Sequence, residues 1–250
     1  MSYKLNQILE DFQEKQKNLP DDREARIDEL AELFKPIAKH LLSEGCFEVY
    51  SGTKLFRRVF PFTVEFYYHE EEGNVKDYIV YHKGVDDYFE PGSINAHQSG
   101  IDITFENKDA KYRASALIRA FRVIEGDDIH APFKKGYRRS TRANREDVEY
   151  RSTYIYDYLF TNIPLPIKVQ WADCVLENDS GLKQGYRVNI FEYDPVTGKT
   201  NKLKRDRKPW AFSLEDFKIP YKKTKSCAQQ STPYDQGEKT NQNLIHSQSL

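Results

Sequence analysis

Residues 115–126 read SALIRAFRVIEG, an apolar run that two arginines, Arg119 and Arg122, interrupt. A run of aliphatic and β-branched residues that ends at Glu125 and Gly126 is typical of a buried strand. Burying an unpaired guanidinium costs free energy, and charged groups inside proteins are nearly always matched to a carboxylate or a phosphate. The stretch therefore predicts that an acidic partner for Arg119 lies elsewhere in the fold.

On either side of this strand, the chain divides into a helical beginning and a β-rich remainder. Apolar residues at helical spacing predict one helix within residues 1–20 and a second that ends at Gly45. Pro36 lies inside the second helix and is expected to kink or split it. A further helix is expected within residues 142–160. The predicted strands are residues 46–51, 55–70, 77–83, 100–106, 115–125, 167–176 and 185–193.

This order of elements predicts an α+β fold, with N-terminal helices followed by a mostly antiparallel, curved sheet or partial barrel. Strands do not alternate with helices, as a doubly wound fold would require. We expect an N-terminal helix over residues 1–20 and a single α+β domain over residues 21–220. Residues 221–250 are polar and poor in aliphatic side chains, which predicts a disordered tail.

The net charge of −1 over 250 residues conceals two strongly basic segments. One segment contains no acidic residue, and its bases are Lys134, Lys135, Arg138, Arg139, Arg142 and Arg145. The other, residues 199–208, has six bases and one acid, Asp206. Clustered positive charge on a near-neutral chain favours binding to a polyanion such as nucleic acid. The alternative is that both segments are solvated loops.

Several other classes of protein lack support in the sequence. No run of about 18 apolar residues indicates a membrane span, and no signal-peptide core is present, so we expect a cytoplasmic protein. The three cysteines are widely spaced and without a CxxC pair, which favours a reducing compartment and no zinc cage. The GxGxxG, GxxxxGK[ST], HExxH and GxSxG motifs are also missing.

Five segments resemble, in the same order, motifs of the alkyladenine (3-methyladenine) DNA glycosylase family. SALIRAFRVIEG resembles the family's central strand, A-V-L-I-R-A-L-E-P-x-E-G. ELAELFKPIAKHLLSEGCFEV resembles its opening helix and first strand, and FTVEFYYHE resembles its V-E-T-E-A-Y segment. YFEPGSINAHQSG resembles its F-x-x-P-G-x-x-Y-V-Y-x-x-Y-G hairpin, and GYRVNIF with RKPWAFS resembles its closing R-[IV]-G-I and K-P-W-R-F strands. Together the resemblance covers residues 30–125 and 185–215.

The resemblance implies the fold and activity of that family. Its members flip a damaged purine out of DNA and hydrolyse the N-glycosidic bond in base excision repair. A glutamate activates the attacking water, an arginine helps to hold both, and aromatic and histidine side chains sandwich the base. Carried over by position, the catalytic pair is Glu65 and Arg119, and the base-binding residues are Tyr67, Tyr68, His82 and His97. The resemblance implies DNA as the partner. We expect no cofactor, and no metal either, because the histidines are scattered and no cysteine neighbours them. We also expect a monomer, associated with the nucleoid if bacterial.

These assignments make two structural predictions. The carboxylate of Glu65 is the partner of Arg119 across the sheet. In addition, Glu65, Arg119, His97 and one of Tyr67 or Tyr68 line a single cavity.

The sequence also departs from the family's pattern. Ser99 replaces the tyrosine that wedges into the duplex when the base is flipped. RSTYIYDYLFTN stands where the family has its pocket helix, G-P-x-K-L-C-x-A-L. The sequence therefore does not identify the substrate base. It also leaves two other functions as alternatives: a catalytically silent nucleic-acid-binding module of the same fold, and an unrelated interaction protein.

Overall fold

Two helices precede the strands in this protein. The structure is a computed structural model that describes residues 3–80, 87–125, 148–149, 152–174, 181–194, 197 and 199–214. The helices are α1 Tyr3–Gln16, α2 Arg23–Ser43 and α3 Ile155–Phe160, with a 3₁₀ turn at Ser152–Tyr154 before α3. The strands are β1 Gly45–Ser51, β2 Lys54–Glu70, β3 Ile94–His97, β4 Gly100–Thr104, β5 Tyr112–Glu125, β6 Val148–Glu149, β7 Ile167–Asp173, β8 Leu182–Gly185, β9 Phe191–Asp194, β10 Lys199–Arg205 and β11 Ala211–Leu214.

The main sheet is organised by the 17-residue strand β2. One edge of β2 pairs with β5 along its length, and its other edge pairs first with β1 and then with β11. Pro61, which has no N–H to donate, lies between the β1 and β11 pairings, where a missing donor is tolerated. All pairings in the described sheet are antiparallel. The sheet curls into a half-barrel, so the α+β class and the curved antiparallel sheet are confirmed.

The core fills the face of this sheet that α1 and α2 cover, termed here the helix face. Phe34 of α2 stacks on Phe66 of β2 with ring centroids 4.5 Å apart, and on Phe12 of α1 at 5.7 Å. Trp210 packs edge-on against Phe34, and its indole N–H donates to the carbonyl oxygen of Ile27 at 3.1 Å. Because side chains alternate along a strand, the neighbours of Phe66 on β2 point to the other side. That other side, which carries Glu65, Tyr67 and Leu117, is termed the site face.

Two predicted strands are wrong. Residues 77–80 form a turn, with the N–H of Val80 bonded to the carbonyl oxygen of Asp77, and residues 81–83 lie outside the described part of the chain. Residues 185–193 are not one strand, because β8 ends at Gly185 and β9 begins at Phe191. Asn189 lies between them at φ 61°, a left-handed conformation that asparagine tolerates and that ends the extended backbone. Asp77 of the first segment and Arg187 of the second form a buried ion pair.

The helical predictions hold with one difference. Both N-terminal helices are present, but α2 runs through Pro36 without splitting. Packing explains this, because Phe34, Ile37, Ala38 and Leu41 are buried around the proline and hold both halves against the sheet. None of the helices in the described residues is long and apolar enough to cross a membrane. All described residues belong to one compact unit, and the predicted tail lies outside them.

The buried His40 at the end of α2 makes stability depend on pH. Burial lowers the pKa of His40, although Glu44 and Asp173 nearby oppose this shift. The neutral ring accepts the indole N–H of Trp171 at Nε2, 3.4 Å away. Above about pH 6.5 the His40 ring is neutral in both the folded and the unfolded chain. As the pH falls below this value, the ring is protonated in the unfolded chain before it is protonated in the folded one. Stability is therefore lost as the pH falls below about 6.5.

We expect His40→Gln to reduce this pH dependence. Wild type should lose up to about 1.4 kcal/mol of unfolding free energy per pH unit through this group, and the variant should lose less. The measurement is urea unfolding of both proteins at several pH values between neutral and mildly acidic. Parallel curves for the two proteins would show that another group causes the dependence.

Candidate functional site

Glu65 and Arg119 form an ion pair on the site face. Arg119 Nε lies 3.4 Å from Glu65 Oε2, so the predicted partnership across β2 and β5 is confirmed. The register explains how they meet: Val64 pairs with Ile118 and Thr63 pairs with Ala120, so Arg119 has no direct partner on β2. A bulge of this kind re-aims a side chain, and bulges are over-represented next to active sites.

The carboxylate of Glu65 is held from three directions. Besides Arg119, the hydroxyl of Tyr67 donates to Oε2 at 3.0 Å and the backbone N–H of Val188 donates to Oε1 at 2.7 Å. Burial and the charge of Glu65 raise the pKa of Tyr67 well above its ordinary value, so its hydroxyl keeps the proton that it donates. The side chain of Glu65 is 1% exposed, whereas that of Arg119 is 27% exposed. Arg119 thus connects a buried carboxylate with the solvent side.

Glu70, five residues further along β2, has the same set of donors on the helix face. Arg26 Nε donates to it at 2.7 Å, the Tyr68 hydroxyl at 3.0 Å and the backbone N–H of Val75 at 3.1 Å. An arginine, a tyrosine and a backbone N–H therefore hold both Glu65 and Glu70. Because Glu70 lies in the helix-packed core, these donors alone do not make a carboxylate catalytic. Glu70 is consequently a natural control for Glu65.

The structure separates the two tyrosines that were predicted to bind the base. Tyr67 shares the site face with Glu65, and its ring lies 4.8 Å from the guanidinium of Arg187. Tyr68 points to the helix face, where it is fully buried and its hydroxyl contacts Gln16 and Glu70. Only Tyr67 is brought together with Glu65 among these two.

His97 lies at the end of β3, and in the sheet β4 and β5 separate that strand from β2, which carries Glu65. Its Nε2 is 3.2 Å from Asp102 Oδ2, and its Nδ1 accepts the backbone N–H of Ser99 at 3.2 Å. Asp102, Leu117 and Glu65 form one cross-strand row, which places the backbones of Asp102 and Glu65 about 10 Å apart. His97 therefore contacts Asp102 on the neighbouring strand, and Asp102 lies in the same cross-strand row as Glu65. His82 lies outside the described residues.

Of the two basic segments, the structure describes only the second. Lys134, Lys135, Arg138, Arg139, Arg142 and Arg145 lie outside the described residues. Residues 199–205 form β10, which pairs with β9 in a two-stranded ribbon. The exposed cations of this basic ribbon are Lys199, Lys202, Lys204 and Arg205, followed by Arg207. The bases are thus presented to solvent on a regular element.

A buried charge network, which the sequence interpretation missed, lies beside the ribbon. Arg187 is fully buried and pairs with Asp77 and Asp206, and it donates to the carbonyl oxygen of Phe66 at 3.2 Å. Lys208 donates to the second oxygen of Asp206 at 2.8 Å. Burial alone would raise the pKa of Asp206, but the charges of Arg187 and Lys208 outweigh it and lower that pKa. The available signal was Asp206 itself, the single acid within the basic run.

A cavity of about 510 Å³ lies next to this network and not around Glu65. Arg187 and Ile190 form part of its wall, whereas Glu65, Arg119, Tyr67 and His97 do not line it. This cavity does not test the prediction that Glu65, Arg119, His97 and one of Tyr67 or Tyr68 line a single cavity, which stays a prediction. Of these residues, Tyr67 packs in a small apolar cluster with Val80 and Leu117, and Ile79 and Ile190 lie against that cluster.

The fold and the site together define an α+β protein whose half-barrel holds a carboxylate–guanidinium pair on the face opposite α1 and α2. No protein-family model matches this chain, and no curated protein matches it in sequence.

Proposed function

We propose that this protein is a DNA-glycosylase-like hydrolase, which binds nucleic acid and cleaves the N-glycosidic bond of a base turned out of the strand. The observation that supports the proposal best is the ion pair of Glu65 and Arg119 at a bulge on the site face. Both residues occupy the positions that the resemblance to alkyladenine DNA glycosylases assigns to the catalytic glutamate and arginine.

The donors around Glu65 in the described part of the chain leave one of its acceptor positions for a water molecule to bind. An ionised carboxylate offers about four acceptor positions. Donors in the described part of the chain fill three of them, two on Oε2 and one on Oε1. A water bonded at the remaining position of Oε1 would lose its proton to Glu65 while its oxygen attacks the anomeric carbon. The bond to the base breaks as the oxygen approaches, and the base leaves with the electron pair of that bond.

Arg119 and Tyr67 have supporting roles in this mechanism. The guanidinium of Arg119 pairs with the carboxylate of Glu65 and holds it in one orientation, so that the general base is in place before the substrate arrives. The negative charge of Glu65 also opposes the positive charge that develops on the sugar. The hydroxyl of Tyr67 also donates to Oε2 of Glu65 and so helps to orient the carboxylate.

The turn between β3 and β4 suggests which form of the substrate is preferred. Its turn carries Gln98, which is exposed, and Ser99, which stands where the related family has a wedging tyrosine. A serine is too small to fill the space that a flipped base leaves in a duplex. Unpaired and mismatched bases cost less to extrude, so we expect activity on single strands or mismatches to exceed activity on paired duplex.

The direct test is base release from oligonucleotides that carry one alkylated, deaminated or oxidised base. Wild-type protein should release a base from at least one of them, and faster from single strands. Protein that binds these oligonucleotides and releases nothing would instead be the silent binding module. That second candidate is favoured by one observation, the equal set of donors around the core residue Glu70.

Nucleic-acid binding through the basic ribbon makes a separate prediction. Reversing Lys199, Lys202 and Arg205 to glutamate should weaken binding to all sequences alike, because contacts to phosphates carry no sequence information. The slope of log affinity against log salt should become less steep by about 2 to 3, since each phosphate contact contributes roughly 0.7 to 0.9. Fluorescence anisotropy with labelled single and double strands measures both quantities.

The matched control reverses Lys15, Lys54 and Lys108, three exposed lysines outside the ribbon. The change in net charge is the same, so any difference between the two triple variants reports position. Equal loss of affinity in both would mean that total charge, and not the ribbon, determines binding.

A further inference from the structure

The cavity beside the Arg187 network has an aromatic side. It lies between the start of α2, residues 74–79 and the basic ribbon. The rings of Tyr78 and Tyr193 line it with their centroids 4.3 Å apart and their planes at 32°, and both side chains are half-buried. Ile79 and Ile190 extend the apolar wall. Such a surface suits a flat ring, because nucleobases stack on aromatic side chains whatever their sequence.

The charges around the cavity favour an anion. Most charged side chains of its lining are neutralised in pairs: Arg23 with Glu24, Arg187 and Lys208 with Asp77 and Asp206, and Glu192 with Lys204 of the ribbon. Two lining cations, Lys76 and Arg207, have no carboxylate partner among the described residues. The ammonium of Lys76 donates to the carbonyl oxygens of Glu70 and Glu71 at 2.6 and 2.7 Å, and Arg207 is exposed. The cavity therefore keeps an excess of positive charge.

We propose that this cavity binds a nucleotide, with its base against Tyr78 and Tyr193 and its phosphate at Lys76 and Arg207. A volume of about 510 Å³ lies within the range of small-ligand pockets. The basic ribbon leads to the cavity, because Phe191 and Tyr193 of β9 line it while β10 carries the exposed bases. The assignment of the nucleotide to a nucleic-acid strand rests on the proposed function, whereas a free mononucleotide offers the same chemistry.

The experiment is calorimetric titration with deoxyadenosine monophosphate, deoxyadenosine and a short oligodeoxyadenylate. Tyr78→Ala should weaken binding of the monophosphate by about 5- to 150-fold, the value of stacking on one aromatic side chain. Tyr78→Phe keeps the ring and should bind as wild type does. Lys76→Ala should weaken binding of the monophosphate but not of the nucleoside. Tyr156→Ala removes a tyrosine that is 48% exposed on α3, outside the cavity lining, and should have no effect.

The same titrations identify the source of the nucleotide. An oligonucleotide that competes with the monophosphate, or binds through Tyr78 when the monophosphate does not, indicates a strand. Binding of the monophosphate without such competition indicates a free nucleotide. The inference is overturned if wild type binds neither the monophosphate nor the oligonucleotide. It is also overturned if Tyr78→Ala and Tyr193→Ala bind these ligands as tightly as wild type does.

Failure of this inference is distinct from failure of the proposed hydrolase. Glu65→Gln protein should still bind the monophosphate, because Glu65 does not line the cavity. A protein that binds the nucleotide in this cavity but releases no base would support the nucleotide site and contradict the proposed hydrolase. A protein that releases a base but binds no nucleotide in the cavity would support the hydrolase and contradict the nucleotide site.

Discussion

Replacing Glu65 with glutamine is expected to lower the rate of base release by about 10²- to 10⁴-fold, the usual effect of losing a general base. Glutamine keeps the size of the side chain and can still accept the N–H of Val188, but it cannot take a proton from water. Affinity for the oligonucleotide should stay near that of wild type. Single-turnover base release, with binding measured separately, distinguishes the two effects.

Glu70→Gln is the matched control for this experiment. It makes the same change on the same strand, in a carboxylate with the same kinds of donor, but on the helix face. Both variants replace a buried, paired carboxylate, so both should lose stability. Only Glu65→Gln should lose base release per folded molecule. Equal loss in the two variants would assign the effect to stability and would make the Glu65 pair structural.

Arg187→Met is expected to reduce the free energy of unfolding by about 3–5 kcal/mol, because it leaves two buried carboxylates without their main partner. Asp77 then faces no cation of the network, and Asp206 retains Lys208. For a domain of this size, the melting temperature should fall by roughly 6–20 °C. Urea unfolding and thermal melting provide the two measurements. Arg187→Lys should have an intermediate effect, since it keeps the charge but loses the fork that reaches both acids.

Arg205→Met is the control, because Arg205 is an exposed arginine on the ribbon with no ion pair recorded in the described part of the chain. We expect its stability to change by less than about 0.5 kcal/mol. The pH dependence provides a second check. The lowered pKa of Asp206 stabilises wild type above about pH 4, and this contribution is lost as the pH falls further. A small change in the free energy of unfolding of Arg187→Met would contradict a stabilising role of the network. So would a loss of stability below about pH 4 that is the same in this variant as in wild type.

The resemblance and the periodicity of the sequence were sufficient for the class of fold and for one contact. Helical spacing in the first 45 residues and runs of β-branched residues after them predicted the α+β order correctly, since those periods reflect which side chains must be buried. The arginine within SALIRAFRVIEG indicated that a carboxylate had to lie nearby, and Glu65 is that carboxylate. Burial of charge is costly, so a charged residue in an apolar run carries information about its partner.

Only the tertiary structure decided which residues meet around that pair. Alternation puts Tyr67 and Tyr68 on opposite faces, but the sequence did not say which face the helices cover; the stacking of Phe34 on Phe66 settles it. The turn at residues 77–80 begins with Asp77, an acid of the Arg187 network, and the acids of this network lie 110 residues before Arg187 and 19 after it along the chain. Local sequence patterns report the burial of single elements. Pairing across such separations is selected by the whole packed fold, because each buried charge is stable only where its partners converge.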